Sequence, residues 1–233
     1  MIEPSPFTVI FEDNHLLVVN KSPGVLVQGD STGDVPLADL CKAYIKEKYK
    51  KPGEVFLGVV HRLDRPVSGV VVFARTSKAL ERMNALFRDK ETVKTYWAVV
   101  KKKPPQHEGV LIHWLVKDER KNKTTAYKKE TAGALHSALS YQVIGSAEGY
   151  WFLQVNPVTG RSHQIRVQLA SMGCVIKGDV KYGDDEPNKD GSIYLHARRI
   201  SFMHPVRKEM VAFEAPAPAM GMWKYFANFD EST

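Results

Sequence analysis

Two cysteines, Cys41 and Cys174, are all that this chain of 233 residues carries. They stand far apart without companion ligands, which excludes a disulfide framework and a cysteine-held zinc centre and fits a reducing cytoplasm. Long apolar runs are missing too. The longest uncharged stretch, Thr131 to Ala147, is interrupted by His136, Ser137, Ser140, Tyr141 and Gln142, so it is unsuited to crossing a bilayer and no membrane partner is expected. The first residues hold Glu3, Pro4 and Pro6 in place of a basic segment followed by an apolar one, and a secretory signal is not expected.

The common catalytic fingerprints are equally absent. There is no Gly-rich P-loop with its lysine, no dinucleotide glycine pattern, no His-Glu-x-x-His and no Gly-x-Ser-x-Gly. Nucleotide-driven and zinc chemistry therefore lack their hardware, and neither a cofactor nor a metal is expected. Asp184-Asp185-Glu186, beside Gly183 and Pro187, reads as an exposed loop in preference to a cation site. What is present is ordinary globular usage, 43% hydrophobic and 25% charged, with 33 Lys or Arg against 26 Asp or Glu and a net charge of +7. A basic surplus concentrates polyanions near a surface, although a solvated lysine-rich face would give the same number.

Strands are expected at 7–11 and 16–20, joined by a turn at Glu12-Asp13-Asn14. Apolar residues at Leu37, Leu40, Cys41, Tyr44 and Ile45 fall at helical spacing. Leu57 to Val60 and Val70 to Ala74 read as strands buried on both faces, and a second helix begins with Ser77 as its cap and buries Leu80, Met83, Leu86 and Phe87. Val93 to Val100 alternates, placing Lys94, Tyr96 and Ala98 on one face. Further strands are expected at 110–116, 124–127, 135–144, 150–155, 194–203 and 210–213, with a third helix over 161–172 capped by Gly173. Strands outnumber helices without regular alternation, which gives an α+β fold on a mainly antiparallel sheet. Lys101-Lys102-Lys103-Pro104-Pro105 is the one composition shift that could mark a lobe boundary, and a solvated basic loop explains it better.

Two polar clusters stand out. His61-Arg62-Leu63-Asp64-Arg65-Pro66-Val67-Ser68-Gly69 sets charge between two apolar strands, where it needs partners. Taken as a bare Arg-x-Asp, Asp64 would cap a turn or pair locally with Arg62 or Arg65. The second, Thr159-Gly160-Arg161-Ser162-His163-Gln164-Ile165-Arg166, places His163 and Arg166 three apart, on a face adjoining that of Ile165 and Leu169. Arginine in such a place can hold a carboxylate in a fixed orientation better than lysine does.

Together with Asn20-Lys21-x-x-Gly24, Lys94-x-Tyr96 and Gly178-Asp179-x-x-Tyr182-Gly183, these segments resemble the RNA pseudouridine synthases of the RluA family, from about Phe11 to Phe213. Departures are Val67 where the family usually has Thr, Gln168 where His is frequent, and Ser22-Pro23 in place of a Pro-first order. The resemblance implies the pseudouridine synthase fold, with flanking helices and a central catalytic cleft, as a single catalytic domain over residues 1–233 without the S4-type RNA-binding domain of many relatives. It implies an isomerase that converts specific uridines in structured ribosomal or transfer RNA without a cofactor, with a monomer as the default.

By the same resemblance Asp64 is the catalytic carboxylate, Arg166 the arginine that pairs with it, and Tyr96 the tyrosine that stacks on the uracil. Arg62 enters the helix where the target base leaves, Leu195 is the apolar wall beneath the base, and His61, Arg161 and His163 bind substrate. Lys101 to Lys103 and Arg198-Arg199 would hold phosphates. Two other classes fit parts of the pattern. A non-catalytic RNA-binding protein would show the same charge, and a hydrolase could use Asp64 with His61 or His163 as acid and base.

Overall fold

The computed structural model describes residues 5–30, 32–219 and 221–228. Its contacts divide the chain into two compact units, Met1–Val93 with Ala197–Pro216 and Lys94–His196 with Ala217–Thr233. The Lys101–Pro105 segment lies inside the second unit, so the division falls elsewhere.

In the first unit β1 (Phe7–Glu12) and β2 (Leu16–Lys21) form an antiparallel hairpin. Its turn is closed by Asp13, whose carboxylate accepts the N–H groups of His15 and Leu16 at 2.8 and 2.7 Å. β3 (Gly58–Val59) and β2 each pair antiparallel with β4 (Ser68–Ala74), which is buried along its whole length, as its apolar run predicts. Gly69 has φ +119, and a Cβ there would lie 2.3 Å from the carbonyl oxygen of Ala197, so only glycine permits this close approach. Ala197 belongs to β10 (Leu195–Met203), which pairs antiparallel with β11 (Met210–Glu214).

Two helices serve the unit. α1 (Leu37–Lys48) buries Leu37, Ala38, Cys41 and Ile45, and its N-cap is Pro36. α2 (Ser77–Arg88) is capped by Thr76, whose hydroxyl accepts the Ala79 N–H at 3.2 Å. The cap is thus one residue earlier than expected, and Ala79 and Met83 are the buried positions while Leu80, Leu86 and Phe87 are half-buried.

The second unit is an antiparallel array in the order β5 (Val93–Val100), β9 (Tyr150–Pro157), β8 (Leu135–Ala147), β6 (Glu108–Asp118) and β7 (Lys123–Tyr127). α3 (Gln164–Ser171) packs on β6 and β7, and its C-terminus is closed by Gly173 at φ +82. Among β5 and β9, Trp97, Val99 and Phe152 are covered by the 3₁₀ segment Gly221–Asn228, which brings Trp223 and Phe226 into the same cluster. Trp97 and Phe226 stack at 4.5 Å between ring centroids. Burying such rings contributes about 1.5–3 kcal/mol each. Both cysteines are buried free thiols, and burial pushes the Cys41 thiol up to about 12.

Candidate active site

The charged segment between β3 and β4 is anchored at several main-chain atoms. Leu63 and Val67 are buried, Asp64 is half-buried, Arg62 and Arg65 are exposed, and the Val67 N–H closes a turn on the Asp64 carbonyl at 3.0 Å. Next to it, Lys21 is a lysine with no exposed surface. Its Nζ donates to the carbonyls of Ser22, Val25 and Arg65 at 3.0, 2.8 and 3.2 Å, which matches three acceptors to the three N–H bonds of an ammonium. Burial pushes this ammonium down to about 7, while the charge of Asp64 pulls it up.

Arg65 is engaged by Gly24 and Asp34. It donates to the Gly24 carbonyl at 3.0 Å, pairs with Asp34 at 2.7 Å, and its own carbonyl accepts the Gly24 N–H at 2.8 Å. The Lys21–Gly24 turn and the Asp64–Arg65 turn are therefore locked together on either side of Asp64. His61 accepts the Val72 N–H on Nε2 at 3.0 Å and stacks on Phe87 at 4.9 Å. A nitrogen that accepts a backbone N–H holds a lone pair and carries no proton to give, which disfavours His61 Nε2 as a general acid.

The second cluster forms around Tyr182. His163 has φ 53 and ψ 20, a left-handed conformation that stops the helix from starting before Gln164, three residues later than the spacing suggests. The loop ahead of it is braced by Gln164, whose Oε1 accepts from the Thr159 hydroxyl and the Arg161 N–H at 2.8 and 3.0 Å, and whose Nε2 donates to Ala138 O. The side chain of His163 reaches the Tyr182 hydroxyl through Nδ1 at 2.8 Å, and that hydroxyl accepts the Thr124 N–H at 2.9 Å.

Arg166 lies over the Tyr182 ring at 5.1 Å and grips Asp179 through Nε and Nη2, both at 2.8 Å. The two side chains are 5% and 1% exposed, so this is a desolvated, bidentate ion pair that fixes the plane of the guanidinium. Desolvation pushes the Tyr182 hydroxyl up from its ordinary value.

Tyr96 is half-buried on β5, opposite Val155. Asn156 braces this strand by donating to Lys94 O at 3.2 Å and Thr95 Oγ1 at 2.9 Å. Burial lowers the Lys94 ammonium. Leu195, the first residue of β10, is 3% exposed.

A family model described as RNA pseudouridylate synthase matches residues 15–171. The chain belongs to the RNA pseudouridylate synthase family. It is 30% identical over 223 residues to the ribosomal large subunit pseudouridine synthase C of Vibrio cholerae, covering 91% of this chain and 66% of that one. It is 33% identical over 193 residues to a mitochondrial pseudouridylate synthase of Xenopus tropicalis, covering 75% and 59%. The chain thus spans about two thirds or less of the length of these relatives. Among solved structures, the human RNA pseudouridylate synthase domain containing 4 superposes with a TM-score of 0.77 at 25% identity, over 94% of this chain and 91% of that one. The fold is the α+β pseudouridine synthase fold.

Within that family frame, the second unit gathers His163 and Arg166 on Tyr182, with Arg161 in the adjoining loop and Tyr96 and Leu195 on strands. The first unit carries His61, Arg62 and Asp64. Three residues of the site region had no role in the sequence reading: Lys21, Asp179 and Tyr182. Each lies in a segment that carried the resemblance, and a lysine closing the apolar run Leu16–Val19 was a usable signal for Lys21.

Asp184 corrects the reading of its loop. Its side chain is 2% exposed, accepts the N–H groups of Gly178 and Asp185, and pairs with Lys101, while Asp185 is 89% exposed. Asp184 is therefore a loop-closing group. Four of the basic residues expected on phosphates are engaged within the protein: Lys101 with Asp184 and Asp185, Lys103 over the Trp151 ring at 5.1 Å, and Arg198 and Arg199 with Glu214 at 3.1 and 3.6 Å.

Proposed function

We propose that this chain isomerises uridine to pseudouridine in structured RNA, ribosomal or transfer, as a cofactor-independent enzyme. The observation that carries the reading is the Asp64 turn, whose backbone is clamped by a wholly buried lysine and a reciprocal Gly24–Arg65 contact. A carboxylate carried on a backbone braced this heavily suits covalent attack on the sugar or base, or removal of a ribose proton. The N1–C1′ bond breaks, the base turns, C5 bonds to C1′, and the proton lost from C5 is balanced by one gained at N1, so product and substrate are isomers and no co-reactant is consumed. In this reading Tyr96 stacks on the uracil and Leu195 supports it. Arg166, its plane fixed by Asp179, is a positioning residue, and Arg62 fills the space of the extruded base, since a stacked uridine is out of reach until it leaves the helix. His61 braces the strand that follows Asp64 through Val72, and Arg161 and His163 contact the RNA. The working compartment is the cytoplasm, consistent with two buried free thiols, and no helix among the described residues is long and apolar enough to cross a membrane.

The decisive experiment incubates the purified protein with ribosomal and transfer RNA transcripts and analyses the digested nucleosides. Pseudouridine is expected with the wild type and is lost by at least about 10³-fold in Asp64→Asn, with RNA affinity nearly unchanged. Free uracil would indicate a hydrolase, binding without product a non-catalytic protein, and wild-type turnover by Asp64→Asn would remove that residue from the chemistry.

A further inference from the structure

One part of the second unit carries several basic residues without a counter-ion. In the β6–β7 hairpin and the segment after it, Arg120, Lys121, Lys128 and Lys129 have no carboxylate within ion-pair distance among the described residues, and the same holds for Arg161. Between these segments lies a cleft of about 390 Å³. Its walls include Leu115 and Lys117 of β6, Thr124 of β7, and Gly160, Arg161 and Ser162 of the loop before α3. Lys117 is held there by Glu119, so the exposed guanidinium of Arg161, which reaches only the His136 carbonyl at 3.4 Å, supplies the uncompensated charge.

Gly160 adds an independent observation. Most turn glycines of the chain have positive φ and are explained by their backbone, as Gly133 is at φ +73 on the same cleft. Gly160 lies outside that range, and a Cβ there would meet nothing within 4 Å. Neither its conformation nor a neighbouring protein atom calls for glycine. Gly53 is equally open, and at Gly160 the openness falls on the wall of the cleft, where it leaves the backbone free for close approach from outside.

We propose that this cleft binds one backbone phosphate, with its sugar, of the RNA strand at a nucleotide other than the target uridine, with Arg161 as the charge that holds it and Gly160 as the gap that admits it. This rests on the RNA-modifying reading above and extends it to a separate subsite. A volume at the small end of ligand sites, roughly 300–1,000 Å³, suits a single nucleotide and not a length of duplex. The loop is rigid before RNA arrives, because Gln164 already fixes Thr159 and Arg161. The surrounding lysines and arginines would bring the strand to the mouth, and Arg161 would set its register.

The test measures RNA affinity across a salt series with the whole chain, each variant carried in the Asp64→Asn background so that binding is read without turnover. Arg161→Ala is expected to weaken a stem-loop RNA about three- to tenfold and to reduce the salt slope by about one. Arg161→Lys should restore the slope, because a point charge still pairs with phosphate. Gly160→Leu should weaken binding similarly with the slope loss of a blocked contact, and Gly160→Ala less, with melting temperatures kept within about 2 °C of the parent. Unchanged affinity and slope in both Arg161→Ala and Gly160→Leu would overturn the proposal, as would weakened binding with an unchanged slope. Pseudouridine formation by the wild type on the same RNA is scored in parallel: its absence would defeat the proposed function, while the affinities decide the cleft.

Discussion

Around Asp64 it is the loop's main chain that is anchored: Lys21 reaches three carbonyls, and Gly24 and Arg65 exchange contacts across the turn. Around Arg166 it is a side chain, with Asp179 in a bidentate pair and Tyr182 beneath the guanidinium. The first arrangement fixes the path of a loop and tolerates change in the side chains that project from it. The second fixes the plane of one charged group through a bidentate grip. Stability should therefore respond differently to substitutions in the two places.

The largest effect should follow Asp179→Ala, which leaves a buried guanidinium without the carboxylate that grips it. A loss of about 3–5 kcal/mol is expected in denaturant titration. A loss below 1 kcal/mol would show that the two regions are anchored alike.

Lys21→Met should cost less, about 1–3 kcal/mol at neutral pH, since carbonyls lose donors but a desolvated charge also goes. Its signature is in the pH dependence. The ammonium titrates at about 7 in the folded protein and near 10.5 when unfolded, so between these values the unfolded chain holds more protons. The lysine's contribution to stability then rises with pH over that window, and the gap between wild type and Lys21→Met should widen from pH 7 to 10. A gap that stays constant or narrows would contradict the assignment.

Arg62→Ala should barely alter stability, because this exposed side chain anchors nothing in the loop. Single-turnover rates at a uridine stacked in a stem-loop should fall well below those at the same uridine in an unstructured strand, where unstacking worth a few kcal/mol is not required. Equal losses on both would assign Arg62 to chemistry or to general phosphate binding.

The same contrast explains what was legible in the sequence. β2, β4 and α2 were readable because their burial follows apolar periodicity. α3 was legible as a helix ending at Gly173, but its start and its faces were not: Gln164, Arg166 and Gln168 are buried along with Ile165 and Leu169, so the helix has no polar face to show, and the left-handed His163 erases its expected start. Thr76 displaced Ser77 as a cap because two neighbouring hydroxyl residues offer the same signal. The 3₁₀ segment Gly221–Asn228 lacks a strand or helix period and was missed, although its aromatics complete a core cluster. The motif positions of Asp64, Tyr96 and Arg166 were visible, whereas the partners that brace them, Lys21, Asp179 and Asn156, come from distant segments and emerge only from the folded chain.

The return of β10 to the first unit also bears on how the chain is made. Gly69 must meet Ala197, more than a hundred residues later, before β4 acquires that neighbour. Until then a nascent chain emerging from the ribosome carries an apolar central strand with an open edge, a template for unwanted pairing. Loop closure over such a separation is entropically slow, so the first unit cannot finish folding until the segment carrying β10 has been made.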